Sequence, residues 1–190
     1  CQSIKGTTML EQLASAVQPI LDLPLVRRTR RNHGLEHATI HVLSQRVKGL
    51  QMAGRSTDSG FVLLGEASTE AVESAVNEAL RRMRGGEHSL AVHPNCGTNL
   101  VTTGLLTSLV GIAGISGANR RDSWNRLPAV MILMMFTILF SQPLGAALQK
   151  HFTTDGNPAD LEVLKIERKI VRMPLASGPV TMHRVSTHST

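Results

Sequence analysis

The sequence predicts a small α+β domain joined to a hairpin of two transmembrane helices. Two segments without charged residues, 97–119 and 127–149, indicate the hairpin. Each is long enough for a helix of about 34 Å, which exceeds a bilayer hydrocarbon core of about 30 Å. Helix-like and strand-like segments alternate between residues 29 and 96, and this alternation indicates the α+β domain.

The 190 residues divide into four predicted segments. Residues 1–28 form an N-terminal interfacial segment: residues 9–26 are apolar but interrupted by Pro19 and Pro24, so we expect them to lie on a bilayer surface. Residues 29–96 form the α+β domain, residues 97–149 the hairpin, and residues 150–190 a C-terminal tail. A buried helical hairpin in a soluble protein is the alternative, but residues 131–140 lack the polar face that soluble helices usually have.

The predicted order within the domain is helix, hairpin, helix, strand. The first helix begins near Thr29 or Asn32, either of which can cap it, and ends near Lys48. Strand-like runs at 50–53 and 61–65 flank the turn-rich GRSTDSG, which indicates a β-hairpin.

The second helix of the domain has the clearest signals in the sequence. Ser68 or Thr69 caps its start, and Gly85 ends it. Residues 89–93 predict a third strand, which leads directly into the first transmembrane helix.

Two segments are predicted to lack regular structure. The charged residues 120–126 form the loop between the spans. The residues from about 174 onward form a loose basic tail in which His183 and His188 are exposed to solvent.

The charge distribution indicates lipid rather than nucleic acid as a partner. Lys and Arg number 20 against 14 Asp and Glu, but Tyr is absent and aromatic residues make up 3% of the chain. Arginine clusters at 27–31 and 81–84 lie outside the apolar spans, where anionic lipid headgroups would bind them. Glycines in the first span favour close helix association with the second span, with another copy of the chain, or within a larger membrane complex.

The two cysteines, Cys1 and Cys96, imply no disulfide framework. A first residue other than Met indicates a processed or truncated N-terminus. A mature bacterial lipoprotein also begins with cysteine, so a lipidated Cys1 is the alternative.

The segment HGLEHATIH, residues 33–41, places three histidines four residues apart on a predicted helix. His33 and His37 share one face, about 40° apart, which lets two imidazoles bind one divalent metal. With Glu36 they form H-x-x-E-H, an inverted zinc-protease motif whose histidines bind zinc and whose glutamate takes a proton from water. His41 continues the row as a further candidate ligand. The alternative is an ordinary polar helix face near lipid phosphates.

A second cluster, HPNCGTN at residues 93–99, places His93 and Cys96 three residues apart in a turn before the first span. This spacing suits a pair of metal ligands, and zinc is the predicted metal. The alternative is a small buried Cys96 beside a hydrogen-bonded His93. No substrate-binding residue is predicted.

Three motifs in this order resemble two related sets of bacterial membrane proteins: NHGLEHATIHVL, then HPNCGTNL before an apolar span, then PLGAALQKHFTTDGNPADLEV. One set is an uncharacterised two-span family of cyanobacteria and green non-sulfur bacteria. The other is the YqhQ-like family of predicted metal-dependent membrane enzymes. The resemblance covers about residues 26–165. The pattern shared by both sets falls on His33, Gly34, Glu36, His37, His93, Pro94, Cys96, Gly97 and Thr98, and His41 belongs to the first set alone.

The resemblance implies a bacterial cytoplasmic or thylakoid-like membrane. We expect the α+β domain on the cytoplasmic side, because the sequence shows no signal segment that would export it.

These residues together predict a divalent-metal site at the membrane surface. With Glu36 as general base, the site would support metal-assisted hydrolysis of a peptide or lipid-linked substrate. The alternative is a non-enzymatic accessory or assembly subunit of a larger membrane complex, and haem ligation by His33 or His37 is a third interpretation. Four protein ligands would indicate a structural site and three a catalytic one, so the sequence leaves open whether the protein is an enzyme.

Overall fold

A computed structural model describes residues 9–172 and 178–190. Cys1, with the prediction of a processed or lipidated N-terminus, lies outside these residues. The chain divides into two compact units. The first comprises the described residues up to His93 and those from Lys150 onward, and the second comprises Pro94–Gln149. The predicted α+β class is confirmed, since helices accompany an antiparallel sheet.

The first unit contains four α-helices and four strands among its described residues. The helices are α1 (Met9–Ala16), α2 (Gln18–Leu21), α3 (Pro24–Arg46) and α4 (Thr69–Arg84). The strands are β1 (Ala53–Thr57), β2 (Gly60–Leu64), β3 (Glu162–Arg172) and β4 (Pro179–His188). They form one antiparallel sheet in the order β1-β2-β4-β3.

The core of this unit lies between α3, α4 and the sheet. Leu35 and Leu43 of α3 pack with the apolar stripe of α4 and with Phe61, Leu63 and Val185 of the sheet. All five side chains are buried. Burial of this much apolar surface fixes the position of α3, which is the helix that carries the three histidines.

Helix α3 begins at Pro24, so its predicted start near Thr29 or Asn32 was wrong. Proline is favoured at the first position of a helix, because its fixed φ suits the helix and its missing N–H has no partner there. Thr29 donates within the helix to the carbonyl of Leu25 at 2.8 Å. Asn32 is buried and donates to two carbonyls of the β1–β2 turn at 2.9 and 3.2 Å. It therefore joins α3 to the sheet and does not cap the helix.

The predicted second helix and hairpin are confirmed. Ser68 caps α4 by accepting from the N–H of Ala71 at 3.2 Å, and Gly85 follows its last residue. The first strand of the hairpin is displaced from the predicted 50–53, because β1 extends to Thr57 and turns directly into β2.

The predicted third strand at 89–93 was wrong. Residues His88–Ala91 form a short 3-10 turn. The carbonyls of Ala91 and Val92 accept hydrogen bonds from side chains of α3, so they are not available for pairing with a strand.

The prediction of a loose C-terminal tail was also wrong, because β4 lies between β2 and β3 in the sheet. His188 is exposed as predicted, but His183 is fully buried. Its Nε2 lies 3.4 Å from Oγ1 of Thr69 at the start of α4. Burial is the main cause that lowers the pKa of His183, with a smaller contribution from the positive charge of Arg168.

The second unit contains α5 (Gly97–Ile115) and α6 (Arg120–Leu148), both long and apolar enough to cross a membrane. The predicted loop at 120–126 was wrong, since these residues form the first turns of α6. Asn119 caps this helix by accepting from the N–H of Asp122 at 3.0 Å, and an acidic residue in the first turn favours a helix start.

Polar side chains connect α5 to α6 inside the second unit. Oγ1 of Thr103 lies 2.6 Å from Oγ of Ser141. Gly114 packs directly against Val130, where a Cβ at position 114 would collide with the valine. Gly114 of α5 thus packs against α6, which is one of the predicted partners of this helix.

Candidate metal centre

Four of the predicted histidines lie in one row in the first unit. On α3, the ring centroids of His33 and His37 are 4.3 Å apart. His93 follows the 3-10 turn, and its ring centroid lies 5.8 Å from that of His37 and 4.8 Å from that of His41. The order along the row is therefore His33, His37, His93, His41.

Each of the three imidazoles on α3 donates to a backbone carbonyl of another segment. The bonds run from Nδ1 of His33 to Thr153 at 2.9 Å, from Nδ1 of His37 to Ala91 at 2.7 Å, and from Nε2 of His41 to Val92 at 3.0 Å. A proton on Nδ1 leaves the lone pair of Nε2 for a metal. The carbonyls thus give His33 and His37 the same ligand atom, while His41 uses that nitrogen in its own hydrogen bond.

His33, His37 and Cys96 form a group that can hold a metal ion. Each offers one ligand atom, and the three atoms lie within 4.8 Å of one another. Two imidazoles and one thiolate are a donor set typical of zinc. His93 and His41, which the sequence also made candidate ligands, lie outside this group in the described part of the chain.

The turn that carries Cys96 is held by hydrogen bonds within the second unit. The side-chain amide of Asn99 donates to the carbonyl of Pro94 at 2.7 Å, and its backbone N–H donates to Cys96 at 2.9 Å. Gln149 in turn donates to Oδ1 of Asn99 at 2.8 Å. Cys96, Asn99 and Gln149 are all buried, so the cysteine lies in a turn with restricted freedom.

Gly34, between the candidate ligands His33 and His37, lets α3 approach the chain at residues 153–156. A Cβ at this position would collide with the carbonyl oxygen of Asp155 and would lie 3.3 Å from Cβ of Ala91. The N–H of Asp155 also donates to the carbonyl of Arg30 at 3.0 Å. The glycine of the motif is therefore required for packing at the point where Thr153 anchors His33.

Glu36 is buried on the side of α3 that faces β1. Oγ of Ser56 donates to its carboxylate, and Gly54 leaves room for it, since a Cβ at position 54 would collide with the carboxylate. Burial raises the pKa of Glu36, while the Ser56 hydrogen bond and the positive charge of His33 oppose that change. Glu36 lies outside the metal-binding group, and its role as a general base stays a prediction.

His93 is a neutral imidazole at physiological pH. Burial, with smaller contributions from the positive charges of His41 and His37, lowers its pKa to about 4. A neutral ring can accept a hydrogen bond or bind a metal. His93 lies beside His37 in the row and outside the group that can hold a metal.

The sequence did not indicate the groups that orient this site. The acceptors of the histidine hydrogen bonds are the backbone carbonyls of Thr153, Ala91 and Val92. The side chains of these three residues take no part in the bonds. Ser56 lies in β1, but the sequence of that segment indicates only a turn. The chain after the second apolar segment reaches the histidine row through the bond from His33 to the carbonyl of Thr153.

Comparisons with known proteins show the family of this chain. The family described as "Domain of unknown function (DUF6391)" matches residues 28–166. An uncharacterized protein of the cyanobacterium Picosynechococcus sp. is 34% identical over 148 residues, which are 73% of this chain and 71% of the relative. No solved structure matches. The predicted resemblance to an uncharacterised cyanobacterial family is confirmed, and the YqhQ-like relationship stays a prediction. The matched residues include His33, His37 and Cys96, and the chain belongs to the DUF6391 family.

Proposed function

We propose that this protein is an integral membrane protein that holds a zinc ion through His33, His37 and Cys96 and uses it for hydrolysis. The single observation that carries the proposal is the meeting of these three ligand atoms within 4.8 Å. Bound zinc would activate water at neutral pH. The substrate would be a peptide or a lipid-linked molecule that reaches the site along the bilayer.

The donor set favours a catalytic site over a structural one. Three protein ligands leave one coordination position open, whereas structural zinc sites are closed by four. His93 is the residue that would close the site, and it lies outside the group of three. The alternative of an accessory subunit of a larger membrane complex requires that fourth ligand.

Glu36 would act as the general base of this reaction. Its place in H-x-x-E-H supports that role, because the inverted zinc-protease motif has its glutamate there. A hydrogen bond from Ser56 holds the carboxylate in place, and Glu36 directly precedes His37 in the sequence. A fixed carboxylate near the zinc ligands can take a proton from water without first reorganising its side chain.

The exposed apolar surface of the second unit supports the membrane assignment. In each of the two long helices, only 11% of the most apolar 18-residue stretch is buried, whereas the core helices of soluble proteins are mostly buried. Leu100 and Phe140, for example, are 70% and 73% exposed. Lipid would cover such a surface. The membrane would be the bacterial cytoplasmic or a thylakoid-like membrane, with the α+β unit on the cytoplasmic side.

The same surface supports partners in the bilayer. Anionic headgroups would bind the arginine clusters at 27–31 and 81–84. Gly104 on α5 has open space where a Cβ would project. A second copy of the chain or a subunit of a larger complex would pack there, because small residues let helices approach closely.

Zinc content tests the proposal. The full chain is purified in detergent without chelators, and zinc is measured by elemental analysis. We expect about one zinc per chain in the wild type and almost none in His37→Ala, which removes one of three protein ligands. His41→Ala is the matched control, because it removes a histidine of the same helix row that lies outside the group. Wild-type protein without zinc, or equal zinc in His37→Ala, would contradict the proposal.

A further inference from the structure

Arginines precede the candidate-ligand histidines on α3, and three of them have an Nε without an acceptor among the described residues: Arg27, Arg30 and Arg31. Nε of Arg27 and Nε of Arg30 are both buried, and no acceptor among the described residues 9–172 and 178–190 lies within hydrogen-bond distance. Unsatisfied buried donors are rare in proteins, and each calls for an explanation such as a bound ion. The two side chains are half-buried, so a ligand can reach them from solution.

Each neighbouring arginine of the same helix differs from Arg27 and Arg30 in one respect: the charge of Arg31 is paired, and Nε of Arg28 has an acceptor. Arg31 pairs with Asp160 at 2.7 Å and lies 4.0 Å from Asp155. Nε of Arg28 donates to the carbonyl of Pro24 at 3.2 Å. Within the described residues, neither Arg27 nor Arg30 has an ion pair with a carboxylate. Arg28 also lacks such an ion pair, so among the described arginines of α3 an unpaired charge together with an unsatisfied Nε is found at Arg27 and Arg30.

Arg30 is also fixed in position. Its Nη2 donates to the carbonyls of His151 at 3.3 Å and Thr154 at 3.1 Å. A guanidinium that is already immobilised loses little further entropy when it binds an anion. Its Nε–H has no acceptor among the described residues and can donate to an oxygen of a phosphate or carboxylate.

Helix geometry directs the two arginines toward the metal-binding group. At 100° per residue, Arg27, Arg30 and His37 fall within an arc of about 80° on one face of α3. At about 1.5 Å per residue, Arg30 and Arg27 precede His33 by roughly 4.5 and 9 Å along the axis. One ligand of moderate size could therefore contact the arginines and the metal together.

We propose that Arg27 and Arg30 bind the phosphate group of the substrate beside the zinc site. The inference rests on the proposed function, which it narrows from peptide or lipid-linked substrates to those that carry a phosphate. That phosphate is part of a lipid headgroup or of a soluble phosphate ester. Arg30 supplies the fixed guanidinium, and Arg27 supplies a second charge one turn earlier.

The test is a binding measurement on the full chain in neutral detergent. The two probes are dioctanoyl phosphatidic acid and inorganic phosphate, and dioctanoyl phosphatidylcholine is the zwitterionic control for apolar binding. The dissociation constant is measured by titration calorimetry for wild type, Arg27→Gln and Arg28→Gln. Arg28→Gln removes the same charge from the adjacent position, about 100° around the helix.

We expect Arg27→Gln to weaken binding of phosphatidic acid at least about tenfold, because a charge-assisted hydrogen bond is lost. Arg28→Gln should stay within about twofold of wild type, because Arg28 lies on another face of α3 and its Nε already donates to Pro24. Arg27→Lys keeps the charge without the guanidinium fork and should fall between them. Nε of Arg27 has no acceptor to lose among the described residues, and circular dichroism checks that each variant remains folded. Binding of both probes indicates a general phosphate site, and binding of phosphatidic acid alone indicates a lipid headgroup.

Two results would overturn the inference. One is equal weakening in Arg27→Gln and Arg28→Gln, which would show general attraction to a basic surface. The other is no measurable binding of either probe by the wild type. Zinc content of the same samples separates this inference from the proposed function. Zinc without Arg27-dependent binding refutes the phosphate site alone, whereas Arg27-dependent binding without zinc refutes the metal function alone.

Discussion

Replacement of Gly34 by alanine is expected to destabilise the α+β unit and to release zinc. Helix propensity alone would favour alanine by about 1 kcal/mol. The new Cβ, however, would collide with the backbone oxygen of Asp155, which no side-chain rotation can relieve. Such overpacking costs about 1–3 kcal/mol, so the collision outweighs the gain in propensity. Separation of α3 from residues 153–156 would also break the bond from His33 to Thr153.

The expected results are a lower melting temperature by circular dichroism and a substoichiometric zinc content. Gly104→Ala is the matched control, since Gly104 is also inside a helix but a Cβ there meets no atom within 4 Å. It should retain both stability and zinc. Wild-type stability and full zinc in Gly34→Ala would show that the close approach at Gly34 is unimportant.

Replacement of Glu36 by glutamine is expected to abolish hydrolysis while zinc remains bound. Glutamine has nearly the same shape and can still accept from Ser56, but it cannot take a proton from water. General-base catalysis contributes about 100-fold to 10,000-fold, so a loss of at least about 100-fold is expected. The measurement is the rate of 4-nitrophenyl acetate hydrolysis by zinc-loaded protein in detergent, together with its zinc content.

Glu66→Gln provides the control for this experiment. It makes the same chemical change in the same unit, at a glutamate that accepts from Thr181 of β4 instead of lying beside the histidines. Its rate should match that of the wild type. An unchanged rate in Glu36→Gln would instead assign Glu36 the structural role of joining α3 to β1, and would favour the accessory-subunit alternative.

The elements with local signals were predicted correctly from the sequence. Helix α4 has a capping serine, an apolar stripe and a terminal glycine, all within its own residues. The β1–β2 hairpin has an apolar strand beside a turn-rich segment. These features depend on neighbours in sequence and need no knowledge of the tertiary structure.

The C-terminal strands were missed because their signal depends on tertiary packing. The buried face of β4 consists largely of polar residues: Thr181, His183, Thr187 and, beyond its end, Ser189. The alternation of apolar and polar residues that normally reveals a strand is therefore weak. Residues 89–93, in contrast, were predicted as a strand that does not form. Their composition is typical of a strand, but the carbonyls of Ala91 and Val92 bond to the histidines of α3 instead of to a neighbouring strand.

The sequence was sufficient to predict the candidate ligands, but it did not reveal how their side chains are arranged. The spacing of His33 and His37 follows from helix geometry alone. The preference for these two over His41 comes from distant carbonyls, which fix Nδ1 in the first two rings and Nε2 in the third. Backbone acceptors leave no trace in a sequence, so no motif could have revealed this difference.

The cobalt spectrum of the full chain tests the central claim, that His33, His37 and Cys96 bind one metal ion, most directly. Cobalt(II) replaces zinc in such sites, and a bound thiolate gives an intense near-ultraviolet charge-transfer band. We predict this band in the wild type, its loss in Cys96→Ser with visible cobalt bands retained, and loss of all bands in His37→Ala. A band of equal intensity in Cys96→Ser, or cobalt bound by the wild type without it, would contradict the proposed ligand set.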